Sequence, residues 1–124
     1  TPSASRENLE RLAGALAELD ARLRTSADPA GVAMPLDPGL LESGAIWTLV
    51  TRFGDLDLVV TPDGTAGYPD LIRDADALRV AVGPDLMVEV ASLADVIRSK
   101  EAAGREKDRA ALPMLRRALE ESWG

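Results

Sequence analysis

The chain has 124 residues, 46% hydrophobic and 28% charged, and a net charge of −7 from 14 basic and 21 acidic side chains. This is enough chain for one domain with its own core, so a single domain over residues 1–124 is expected. There is no Cys and no His, which excludes disulfides, thiolate chemistry and the usual zinc ligands and removes the commonest general base. Any metal would be a hard cation held by oxygen, with Mg²⁺ the expected ion. No apolar run nears the roughly 20 residues that span a bilayer, and no leader pattern opens the chain. The expectation is a cytoplasmic protein without a membrane partner.

Aromatic side chains are few (Trp47, Phe53, Tyr68 and Trp123), so the core is built from Leu, Val, Ile and Ala. The first expected element is a helix over residues 5–24. Its Leu9, Leu12, Leu16, Leu19 and Leu23 form one apolar stripe, and Ser3 or Ser5 caps it. Prolines and glycines then punctuate residues 25–45, which read as a connector with a short strand near Val32 to Met34. Ile46 to Arg52 and Asp55 to Thr61 read as a hairpin turning at Phe53-Gly54, and Pro62-Asp63-Gly64 is a turn by its chemistry.

Tyr68 to Ala75 reads as a short helix. A second hairpin follows from Leu78 to Val82 and Leu86 to Val90, turning at Gly83-Pro84-Asp85. Ser92 starts a helix with Asp95 in the capping-box position and Leu93, Val96 and Ile97 inward. Gly104 ends it. The last helix spans about Arg105 to Ser122, with Leu112, Leu115 and Leu119 inward and Pro113 expected to kink or divide it. The order predicts an α/β or α+β fold, with a mixed, mostly antiparallel sheet covered by helices.

Two segments carry candidate chemistry. In Gly54-Asp55-Leu56-Asp57-Leu58, strand alternation puts Asp55 and Asp57 on one face and Leu56 and Leu58 on the other. Two such carboxylates can share a Mg²⁺, or one can hold metal while the other accepts a proton. The plainer reading is a half-buried strand with its polar residues in water. The second segment is Lys100 to Asp108. Between Arg98 and Arg117 seven basic residues face three acidic ones, a local +4 that leaves −11 on the remainder of the chain. Lys100, Arg105 and Lys107 beside a helix start make a candidate phosphate site. The competing reading is a solvated helix corner in which Asp108 and Lys100 favour their helix ends.

In this order the two segments resemble bacterial nucleotidyltransferases related to the abortive-infection toxin type, which share the DNA polymerase β-like nucleotidyltransferase fold. The most specific part is Ser92-Leu93-Ala94-Asp95-Val96-Ile97-Arg98-Ser99-Lys100 running through Gly104-Arg105 to Lys107-Asp108. Gly54 to Leu58 is similar to the family's strand bearing its third carboxylate. Ser5 to Leu23 is similar to the helix after its first active-site strand.

The resemblance implies transfer of a nucleoside monophosphate from an NTP to a tRNA or protein acceptor, assisted by Mg²⁺. It implies that Asp57 is catalytic, aiding deprotonation or assisting at the metal, that Lys100 and Arg105 contact the nucleotide phosphates, and that Lys107 and the catalytic Asp108 organise the nucleotide pocket; the strand itself offers Asp55 and Asp57 as metal ligands. The family's Gly-Gly or Gly-Ser followed by two metal-holding carboxylates does not occur within these residues. A chain that is N-terminally incomplete and inactive by itself is expected. A non-catalytic nucleotide- or protein-binding module is the alternative. Ser43-Gly44, separated from Asp55 by ten residues, offers a rival mapping in which Asp55 and Asp57 are themselves the metal pair. A missing first strand would leave an open sheet edge, so a homodimer is a further expectation.

Overall fold

The computed structural model describes residues 1–75 and 79–123. Within them the chain is α+β, with five helices and two antiparallel sheets of three and two strands. It divides into two compact units, residues 1–61 and 62–124.

In the first unit, α1 covers Arg6–Glu18, and Ser5 caps it by accepting the Asn8 N–H. The helix ends earlier than its leucine stripe implies. Leu19 is the C-cap, Asp20 turns into the left-handed region at φ 51°, and Leu23 falls in the short strand β1, Arg22–Leu23. Asp is among the few residues that adopt that conformation at small cost. A leucine four residues after Leu19 suits a strand as well as a helix stripe. The chain bonds Leu23 to Val32 in an isolated bridge, where the short strand near Val32 was expected.

Within the expected connector, residues 25–45, the chain forms a further helix, α2, Pro38–Ser43. Asp37 caps it through the Leu40 N–H, with Pro38 at its start, a common opening for a helix. The strands β2, Ile46–Thr51, and β3, Gly54–Val59, form the expected hairpin, and the sheet order is β1-β2-β3.

Register explains which side of this sheet is wet. Leu23 pairs with Leu49, Leu49 with Leu56, and Trp47 with Leu58, so one face is apolar. Leu9 and Leu16 of α1, Leu41 of α2 and Leu49 of β2 make the buried cluster, with Leu12, Leu23, Trp47, Leu56 and Leu58 packed against it. The Trp47 indole N–H donates to the Leu41 carbonyl at 3.2 Å, giving the ring's polar atom the partner it needs. On the opposite face Arg24 bonds to Thr48, Thr48 pairs with Asp57, and Val50 pairs with both Arg22 and Asp55.

The second unit holds α3, Tyr68–Ala75, the hairpin strands β4, Arg79–Gly83, and β5, Leu86–Glu89, then α4, Leu93–Ala103, and α5, Glu106–Trp123. Leu78, expected to open β4, lies outside the described residues. Every residue from Arg79 to Val90 is exposed. The Pro62-Asp63-Gly64 turn forms as its chemistry requires, with the Thr65 N–H bonded to the Pro62 carbonyl at 3.1 Å. Helix α5 runs on through Pro113 without division, whose missing N–H costs a bond but does not end the helix when Leu112 anchors the turn in the core.

Candidate functional site

The two candidate segments lie in different units, and each has its own geometry. In the first unit Asp55 and Asp57 share the polar face of β3, and Leu56 and Leu58 pack against the core behind them. Alternation along the strand produces this directly. A third residue joins them that the linear sequence hides. Arg24, just past β1, reaches across β2 and pairs with Asp55 through Nη1 and with Asp57 through Nη2, the latter at 2.9 Å. Its side chain is 25% exposed, against 64% and 56% for the two aspartates.

The donor set can be compared with a resident Mg²⁺. Such an ion takes six oxygens in a near-octahedral shell. Here the two carboxylates already face one guanidinium, whose planar fork suits paired acceptors. Each carboxylate turns one oxygen to Arg24, so a divalent cation bridging the pair competes with the guanidinium, and the residues do not fit a ready-made metal site. Among the described residues no group of three or more acidic side chains could hold a metal ion.

In the second unit the Lys100–Asp108 segment forms the corner between α4 and α5. Ser92 caps α4 through the Asp95 N–H, and Gly104 ends it in the left-handed region at φ 61° with its N–H on the Lys100 carbonyl. The chain can then turn at once into α5. Asp108, in the first turn of α5, has 0% exposure. It accepts from Lys100 Nζ at 3.1 Å, from Arg105 Nε at 2.6 Å and from the Arg105 backbone N–H at 3.3 Å. The last bond is the reciprocal half of a capping box, closing a free donor at the helix start. The Arg105 hydrogen bond, and after it Lys100, holds the Asp108 carboxyl far below the ordinary carboxylate range against the opposing effect of burial. Asp108 in turn raises Arg105.

Lys100 and Arg105 spend only part of their donors on Asp108. The Lys100 side chain is 38% exposed and that of Arg105 59%. Lys107 is exposed on the first turn of α5. Two cations and one buried carboxylate therefore meet at the start of an 18-residue helix, whose first turn also carries Glu106 and Lys107. Nearby Glu101 is engaged by Arg116 at 2.6 Å.

A second network in this unit centres on Asp70 of α3, which sequence reasoning passed over. It accepts the Ala66 N–H at 2.9 Å, pairs with Arg73, and pairs with Arg98 of α4 at 2.8 Å. The Ala66 bond first, then Arg73 and Arg98, lower its carboxyl to about 2. Arg98 also binds Asp95 at 3.0 Å, so it ties the start of α3 to α4. The only hint in the sequence was Asp70 in the first turn of a predicted helix; its partner lies 28 residues away.

No helix among the described residues is long and apolar enough to cross a membrane. Comparison with protein-family models, with curated proteins and with solved structures finds no match to this chain.

Proposed function

We propose that this chain is a nucleotidyltransferase-like domain that holds nucleotide phosphates at the α4–α5 corner and, by itself, transfers no nucleotide. One observation carries the reading. Lys100 and Arg105 share a single buried carboxylate while both keep exposed donors. A buried Asp108 fixes the direction of two cations without neutralising both. Lys107 adds a third positive charge on the exposed first turn of α5, beside Glu106, and a helix start favours an anion. A phosphate group would engage the donors that these cations leave exposed. In the intact family that the sequence resembles, the nucleotide would then pass to an RNA or protein acceptor with Mg²⁺ assistance.

The inactivity rests on the first unit. Phosphoryl-type transfer needs converging carboxylates to hold the metal that neutralises the developing charge. Asp55 and Asp57 are instead engaged by Arg24. That engagement also favours a second reading, a non-catalytic nucleotide- or protein-binding module of the same fold.

Calorimetry with ATP, GTP, CTP and UTP tests the corner. Binding is expected, weakened by Lys100→Ala and by Lys107→Ala; unchanged binding in both variants would move the site elsewhere. Incubation with each α-labelled NTP, a divalent cation and total tRNA or cell extract tests the inactivity. No label transfer is expected. Robust transfer lost in Asp57→Ala would favour the rival mapping through Ser43-Gly44, Asp55 and Asp57.

A further inference from the structure

The backbone of Arg24 is fixed before its side chain begins. Its N–H donates to the Thr48 carbonyl at 2.9 Å, and Thr48 Oγ1 donates back to the Arg24 carbonyl at 3.2 Å. Thr48 is the register partner of Asp57, with Asp55 two residues along the same strand. Arg24, Thr48 and Asp57 thus form one row across the sheet. The guanidinium leaves that row pointed at both carboxylates, one nitrogen to each.

We infer that Arg24 is the built-in counter-cation of the Asp55–Asp57 pair and keeps divalent cations out of it. Two carboxylates on one strand face repel each other, and a cation between them relieves that repulsion. A free Mg²⁺ or Mn²⁺ would serve, but it competes with a cation tethered at a fixed distance, whose effective concentration exceeds that of a dissolved ion. The guanidinium also offers its two terminal nitrogens at a spacing that meets both aspartates, which a point charge cannot do. A divalent ion bridging the pair would compete with the guanidinium for the oxygens it engages and would sit beside its positive charge. The chemistry of the pair is therefore set from outside its own strand. Arg24→Gln would convert an ion-paired strut into a two-carboxylate cation site. The inference uses first-unit residues alone and stands apart from the phosphate reading of the α4–α5 corner.

The test is Mn²⁺ titration of the full chain, followed by loss of the free-ion electron paramagnetic resonance signal. Arg24→Gln is expected to tighten Mn²⁺ binding at least about tenfold over the unaltered protein, since ligand charge sets affinity at such sites. Adding Asp57→Asn to Arg24→Gln is expected to cancel the gain, and Arg24→Lys is expected to fall between the two. Equal binding by the unaltered protein and Arg24→Gln, or a gain that survives Asp57→Asn, overturns the inference. Should Arg24→Gln fail to fold, the unaltered protein still decides the matter. Its Asp55 and Asp57 carboxyl carbon resonances are expected to hold their positions through millimolar Mg²⁺, and a saturable shift of both overturns the inference.

Discussion

Lys100 and Asp108 meet across the α4–α5 corner at 3.1 Å, and the carboxylate has no exposed surface while the lysine keeps part of its own. The buried partner serves as the anchor and the exposed one as the functional arm. Removing the anchor's charge leaves Lys100 and Arg105 without their shared anion and turns one of the two acceptor oxygens that hold the corner into a donor. Asp108→Asn is therefore expected to lower the thermal midpoint by several degrees, because buried ion pairs broken on one side are strongly destabilising. Asp57→Asn, on an exposed side chain, is expected to change it little. Circular dichroism melts of both variants check this, and equal midpoints would show that Asp108 does not anchor the corner.

The Asp70 network sets an acid limit for the second unit. Its carboxyl titrates at about 2 in the folded chain, below the ordinary value near 3.9 of an unfolded chain. Between these values the unfolded state binds more protons, so stability rises with pH there and is fully present above the unfolded value. It is lost as pH falls from about 4 towards 2. Asp108, depressed further, extends the loss below that range. Asp70→Asn is expected to flatten the decline between pH 4 and 2. Urea midpoints measured across that window show it, and parallel slopes in the two proteins would count against the network.

Leu49 is 0% exposed at the centre of the first unit's core, where β2 meets Leu9, Leu16 and Leu41. Leu49→Ala should cost about 2–5 kcal/mol, the range for a buried leucine truncated in a packed core. Denaturant unfolding measures the loss. A cost below about 1 kcal/mol would mean that the site collapses around the smaller side chain.

Two glycines are expected to respond in opposite directions to the same substitution. Gly64 sits at φ +72°, and a Cβ there would lie 2.7 Å from the Ala102 Cβ and 3.1 Å from the Arg98 carbonyl oxygen. Gly64→Ala is therefore expected to destabilise by more than about 1 kcal/mol, combining left-handed strain with a clash against α4. Gly14 lies inside α1 with nothing within 4 Å of an added Cβ. Gly14→Ala is expected to stabilise by about 0.5–1 kcal/mol through helix propensity. Melting both variants beside the unaltered chain gives the two signs.

Local pattern alone determined a good part of this protein. Alternation in Asp55-Leu56-Asp57-Leu58 placed the two carboxylates on one face, because a strand's side chains alternate whatever surrounds it. Ser5, Ser92 and Gly104 marked helix ends through bonds and dihedrals that involve only near neighbours. The Lys100-to-Asp108 corner was legible for the same reason, its partners lying within eight residues. Tertiary structure decided the rest. Leu23 satisfied a helix stripe and a strand equally, and only its pairing with Leu49 and Val32 settled which. Asp108 looked like a solvated helix-start residue until packing buried it. Arg24 and Asp57 are 33 residues apart, and no periodicity or motif links positions at that distance. What brings them together is the register of three strands, and register is a property of the assembled sheet.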